Sequence, residues 1–150
     1  MKKMIVWFTG QPGHGKTSLA NSLVKFLRLS EIPVIHIDGD DLRETTNNQD
    51  YSKEGRIKNI ILAQNIAKFL YNKDFFVVVS LVAPYLNIRE SFKNDPSVLV
   101  KEIYVHKETP TEKDKFRVDE YEPPQTNFID VDTTKMVSVL KLYHLIFEEQ

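Results

Sequence analysis

The sequence predicts an α/β fold, three layers deep, with a mostly parallel five-stranded sheet between helices on both faces. Two observations carry that expectation. Runs that are apolar throughout, as strands buried on both faces must be, alternate with stretches whose apolar residues recur at helical spacing. A cluster of glycines also falls at the joint between the first such run and the first such stretch, where backbone needs unusual freedom.

The elements follow in order. Met4–Thr9 (MIVWFT) is a continuous apolar run and reads as a buried strand. Lys16–Leu29 is a helix, with apolar residues at 19, 20, 23, 24 and 27 on one face. Pro33–Ile37 (PVIHI) is a second strand that ends in Asp38. Ser52 caps a long helix from Lys53 to about Tyr71, with apolar positions 57, 60, 61, 63, 66, 67 and 70. Phe75–Val82 (FFVVVSLV) is a third strand, Leu86–Lys93 a short helix, Val98–Val105 a fourth strand and Asn127–Val131 a short fifth. Met136, Leu140, Tyr143 and Phe147 make the apolar stripe of a terminal helix. Lys107–Thr126 is charged, holds Pro110, Pro123 and Pro124, and reads as a surface loop with at most one helical turn. With no linker, repeat or break in composition, residues 1–150 are read as one domain.

Composition removes several function classes. The absence of cysteine excludes a disulfide framework and any cysteine-ligated zinc or iron–sulfur centre. With 20 basic and 21 acidic residues, the chain lacks the positive excess of a nucleic-acid coat. Its longest apolar run, Phe75–Pro84, is too short for a bilayer, and the amino terminus lacks a small-residue cleavage site, so no membrane partner and a cytoplasmic location are expected. The four histidines show no metal-ligand spacing. Glycine is scarce, five in 150 residues, and three of the five lie between positions 10 and 15.

That cluster is Gly10-Gln11-Pro12-Gly13-His14-Gly15-Lys16-Thr17, followed by Ser18. It fits G-x-x-x-x-G-K-[ST], and the strand before it and helix after it are the context this phosphate-binding loop requires. The expected fold is therefore that of the P-loop NTPases. Loop amides and a helix N-terminus face an anion. Lys16 is expected on the β- and γ-phosphates of ATP, and Thr17 on Mg²⁺. The third strand ends without the Asp that many NTPases use for the metal, and no N-K-x-D signature marks a GTPase. Instead Asp38-Gly39-Asp40-Asp41 follows the second strand. Carboxylates at the carboxyl end of a parallel strand face the ligand. They can organise Mg²⁺ or take a proton from an acceptor hydroxyl. A turn that merely caps the next helix remains the alternative, above all for Asp41.

Further stretches fall into place in order. Asp38-Gly-Asp-Asp-Leu-Arg43 matches D-G-D-N-[IL]-R apart from Asp41. Asp50-Tyr51-Ser52-Lys-Glu-Gly-Arg56-Ile-Lys-Asn59 matches G-F-S-x-x-x-R-x-x-N with two changes. Ser80-Leu-Val-Ala-Pro84-Tyr85, with Arg89 downstream, matches S-x-[IV]-[SA]-P-Y. Thr109-Pro110-Thr-Glu112 with Arg117, and then Tyr121-Glu122-Pro123-Pro124, complete the series. In this order the motifs resemble the adenylylsulfate kinases, which move the γ-phosphate of ATP onto the 3′-hydroxyl of adenosine 5′-phosphosulfate (APS). The resemblance implies Asp38 as the Mg²⁺-organising carboxylate and Asp40 as the base. It implies Arg43, Tyr51, Arg56, Asn59, Ser80, Pro84 and Tyr85 at the APS, and Arg117 against the ATP base. Arg56 and Asn59, three apart on a helix, share a face.

The departures bear on the reaction. The family follows its last arginine with a basic, glycine-bearing lid, whereas here Arg117-Val118 runs straight into Asp119-Glu120-Tyr121. The expectation is that the lysines and the aromatic residue of that lid are lost. Tyr51, Asp41, Asp50 and Pro12 stand where the family has Phe, Asn, Gly and Ser. Three readings follow: an APS kinase with a reduced lid, a kinase of the same lineage acting on another small hydroxyl acceptor, and a non-catalytic nucleotide-binding module. The expected partners are ATP and the small-molecule acceptor, without nucleic acid, and with a homodimer left open.

Overall fold

The computed structural model describes residues 2–148. Its elements run β1 (Ile5–Thr9), α1 (Lys16–Leu29), β2 (Val34–Asp38), α2 (Gly39–Thr46), α3 (Lys53–Asn72), β3 (Phe76–Ser80), α4 (Leu86–Lys93), β4 (Val100–His106), a 3₁₀ segment (Glu112–Phe116), β5 (Ile129–Asp132) and α5 (Val139–Phe147). The strands form a five-stranded sheet in the order β2-β3-β1-β4-β5, and every neighbouring pair is parallel.

Alternation along β1 builds the two cores. Val6 and Phe8 pack against Leu19, Leu23 and Leu27 of α1 and Leu142 and Ile146 of α5. Ile5 and Trp7 face the other way, onto Ile60, Ala63 and Ala67 of α3 and Phe92 of α4. A strand buried on both faces has no polar side to show, which is why β1 is apolar from Ile5 to Phe8 and turns polar only at Thr9, its last residue. The register sets Asp38 opposite Ser80 and Phe8 opposite Ser80. The ends of β1, β2 and β3 therefore lie side by side at the carboxyl edge of the sheet.

Three local features differ from the sequence expectation. The segment after β2 is a helix, α2, where an acidic turn was all the sequence suggested. Leu42 is the one apolar residue in GDDLRETT, so the segment carries no periodic signal. It is helical because Asp38 caps it, accepting from the Asp40 amide at 3.2 Å, with Asp40 and Asp41 in its first turn. Strand β3 stops at Ser80 rather than Val82, and Ala83 takes a left-handed φ of 45°. Helix α5 starts only at Val139, so Met136 lies before it and is exposed, and within it Leu142 and Ile146 are buried while Leu140 is exposed. That helix is apolar almost all round, so several stripes fit its sequence and only contact with α1 selects one.

Beneath the site lies a buried ion cluster. Glu102 of β4 accepts from Arg89 Nε and from Lys93 Nζ, each at 2.7 Å, and all three side chains are almost fully buried. Arg89 also donates to the carbonyls of Ala83 and Glu122, so it bolts the β3–α4 loop to the segment after Arg117. Replacing Glu102 with Ala leaves two cations without their shared carboxylate, with an expected loss of about 3–5 kcal/mol in denaturant unfolding.

Candidate active site

At the carboxyl edge of the sheet a cleft of about 920 Å³ opens between the glycine loop, α2, α3 and the 3₁₀ segment. From the loop it is lined by Pro12, Gly13, Gly15, Lys16, Thr17 and Ser18, and from the β2–α2 joint by Asp38 and Asp40. Arg43, Tyr51, Arg56 and Asn59 form the opposite wall, with Ser80 and Pro84 in the floor, and Arg117 stands at the mouth. Gly10, Gln11, His14 and Tyr85, also singled out from the sequence, lie outside this lining.

The loop is shaped by backbone that only glycine tolerates. A Cβ on Gly10 would stand 2.1 Å from the Val105 carbonyl oxygen. Gly13 has φ 81°, and a Cβ there would meet Thr111 Oγ1 at 2.6 Å and Lys113 Cβ at 2.8 Å. Lys16 is buried and donates across the loop to the Gln11 carbonyl at 2.9 Å. Burial lowers its pKa to about 8, against the upward pull of Asp40 and Asp38. The His14 ring is also buried, its Nδ1 has no partner among the described residues, and burial with the nearby Lys16 charge lowers its pKa. It does not line the cleft.

The carboxylates are held in place. Asp38 Oδ1 accepts from Ser80 Oγ at 2.7 Å and lies 3.4 Å from the Thr17 hydroxyl, while Oδ2 takes the Asp40 amide. His36 Nε2 in turn bonds Ser80 Oγ at 2.8 Å. Asp38 thus caps α2 and at the same time faces Thr17 and Lys16. Asp40 is exposed in the cleft, whereas Asp41 points away from it, beside His36.

On the opposite wall, Arg43 lies over the Tyr51 ring at 4.0 Å and ties down the Asn48 and Asp50 carbonyls through Nη1. It presents the exposed Tyr51 ring to the cleft. Arg56 pairs with Glu120 at 3.2 Å across a partly exposed gap, a contact weak enough to exchange for a ligand anion. Asn59 is buried and donates to the Gly39 carbonyl, but its Oδ1 has no partner among the described residues. A buried, unpaired carbonyl oxygen on a cleft wall is poised to accept from a ligand hydroxyl or amine. Tyr85 is buried outside the lining, and its hydroxyl donates at 3.5 Å to Glu120, the carboxylate that also pairs with Arg56.

Two features escaped sequence reasoning. Gln11, expected at the nucleotide, uses its side-chain amide to clamp residue 118: Nε2 donates to the Val118 carbonyl and Oε1 accepts from the Val118 amide, both at 2.9 Å. Lys113, Lys115 and Phe116 line the cleft as well, so two cations and an aromatic ring reach it from the segment before Arg117, not from the lid position after it. Only the motif boundaries at Glu112 and Arg117 hinted at this, because the residues between them match no pattern.

A parallel sheet with a glycine loop between its first strand and helix, Lys16 and Thr17 in one cleft with two carboxylates, defines a P-loop NTPase-fold protein. The chain belongs to the adenylylsulphate kinase family, whose model matches residues 2–125. It is 30% identical over 153 residues to the adenylyl-sulfate kinase of Halothermothrix orenii, covering 89% of this chain and 82% of that one. It is 34% identical over 94 residues to the cytidine diphosphoramidate kinase of Campylobacter jejuni, covering 60% of this chain and 55% of that protein. Against the Campylobacter protein and several further relatives, the match spans about half of the relative's length. Among solved structures, APE1195 shares 28% identity at a TM-score of 0.81, over 97% of this chain and 95% of that one. The Mycobacterium tuberculosis APS kinase CysC in complex with AMPPNP and APS shares the fold, with a TM-score of 0.82 over 97% of this chain and 98% of that one, at 19% identity.

Proposed function

We propose that the protein is an ATP-dependent kinase that transfers the γ-phosphoryl group of ATP to the 3′-hydroxyl of APS. The observation that carries this reading is the single cleft in which the Lys16–Thr17 loop, Asp40 and the Arg43–Tyr51–Arg56–Asn59 wall face one another. The loop and Lys16 hold the polyphosphate of ATP. The wall offers what APS needs: an aromatic face for its base in Tyr51, a guanidinium for phosphate or sulfate in Arg56, and an open acceptor in Asn59 Oδ1. Asp40 takes the proton of the acceptor hydroxyl as its oxygen bonds to the γ-phosphorus. The bond from that phosphorus to the β,γ-bridging oxygen breaks, and ADP leaves.

The oxygen donors of Thr17 and Asp38, close together and beside Lys16, suit a hard divalent cation. They would hold Mg²⁺, which neutralises phosphate charge when bound. Lys16 and the loop then orient the phosphate chain, and Asp38 keeps Asp40 in place through the cap of α2.

A second acceptor has a specific claim, because one relative is named a cytidine diphosphoramidate kinase. The exposed Tyr51 ring stacks on any base, so it does not choose between the two. ADP formation measured with APS and with cytidine diphosphoramidate, each against a no-acceptor control, decides. APS is expected to accelerate ADP formation by at least about 10²-fold, the range of positioned acid–base catalysis. Acceleration by the cytidine compound alone transfers the assignment to it, and acceleration by neither refutes the kinase reading for both.

A further inference from the structure

Lys113 and Phe116 reach the cleft at positions outside every motif described above. Between Glu112 and Arg117 the chain forms a short 3₁₀ segment that is seated directly on the glycine loop. A Cβ added to Gly13 would fall 2.8 Å from Lys113 Cβ, so the base of the Lys113 side chain already touches the phosphate loop. The segment holds its own shape: Thr111 Oγ1 accepts from the Lys113 amide at 3.2 Å and Asp114 accepts from the Thr111 amide at 3.0 Å. Two residues after it, Gln11 of the loop grips Val118 on both backbone groups. Lys113 makes no ion pair among the described residues, and its charge is felt at Lys16. Two cations that converge on one loop, neither holding a carboxylate at ion-pair distance, are arranged for an anion between them.

We propose that the 3₁₀ segment is a pre-seated short lid, and that Lys113 clamps the terminal phosphoryl group of the bound nucleoside triphosphate opposite Lys16. Phe116, exposed beside Arg117 with the Lys115 ammonium 5.2 Å from its ring, closes the apolar side of the same mouth. A mobile lid must order before it can neutralise charge, whereas this segment already packs on Gly13 and is tethered to the loop through the Gln11–Val118 pair, so its cation is pre-organised. The inference rests on the ATP-binding half of the function proposed above and is independent of the acceptor.

Calorimetric titration with AMPPNP and with ADP tests it, on wild type, Lys113→Met, Lys113→Arg and, as a charge-matched control on α5, Lys141→Met. Lys113→Met is expected to weaken AMPPNP about tenfold, the size of one charge-assisted hydrogen bond, and ADP by less than about threefold. Lys113→Arg retains most of the AMPPNP affinity, and Lys141→Met leaves both ligands unchanged. Because Lys113 is exposed, its variants keep the thermal midpoint of the wild type. Unchanged AMPPNP affinity in Lys113→Met, or equal losses for the two nucleotides, overturns the clamp while leaving the P-loop reading intact. A wild type that binds neither nucleotide overturns both.

Discussion

Replacing Lys16 with Met lowers phosphoryl transfer by about 10²–10³-fold, the effect of removing one pre-organised charge from a developing transition state. It also weakens ATP binding, because the ammonium is the loop's own fixed cation and Met fills its buried channel without charge. The variant keeps its fold. Lys16 is held by one hydrogen bond to the Gln11 carbonyl, and its burial in the charged form is a cost to the empty protein. The pH dependence follows from the same burial. Its pKa is about 8 when folded and 10.5 in the unfolded chain, so between these values the unfolded state binds more protons. Stability of the ligand-free protein therefore rises from about pH 8 to pH 10 relative to Lys16→Met, while ATP affinity falls over the same interval as the ammonium is lost. Thermal melts and titrations of both proteins at pH 7, 8 and 9 measure the two trends. Equal ATP affinity in wild type and variant at pH 7 removes Lys16 from the site.

Asp40→Asn is expected to reduce turnover by about 10²–10⁴-fold, the range for loss of a general base, with acceptor KM changed by less than about threefold. The backbone amide of Asp40, not its side chain, completes the cap on α2, so the substitution leaves the helix in place. Asp38→Ala acts differently. It removes the α2 cap, the Ser80 bond and the carboxylate facing Thr17 together, and so lowers stability and activity at once. Steady-state kinetics on the two variants, with a melt for each, separates a proton acceptor from a positioning carboxylate. Turnover in Asp40→Asn equal to wild type refutes the base assignment.

The parts of this site legible in the sequence are those where one residue type is the only one that fits. Gly10 and Gly13 stand where a Cβ strikes neighbouring atoms, and the GKT that follows opens α1, so motif and geometry coincide. Strands β1 and β3 announce themselves because burial on both faces keeps them apolar up to the final residue of each, Thr9 and Ser80, at the carboxyl edge. Helix α2 was not legible because its stability comes from a cap and from contact with α3, neither of which leaves apolar periodicity. The seat of the 3₁₀ segment depends on a Gln11–Val118 clamp across 107 positions, and a lone glutamine in a glycine loop gives no sign of it. The missing lid after Arg117 was legible from the motif spacing, but the cleft-lining Lys113 and Lys115 before Arg117 were not, because they match no pattern.

³¹P NMR of the protein incubated with ATP, Mg²⁺ and APS tests the transfer most directly. A new phosphomonoester on the 3′-oxygen of the APS ribose is expected, formed one for one with ADP, and no such signal with Asp40→Asn. Conversion of ATP to ADP and inorganic phosphate with APS unchanged, or a phosphorylated product undiminished in Asp40→Asn, contradicts the proposed mechanism.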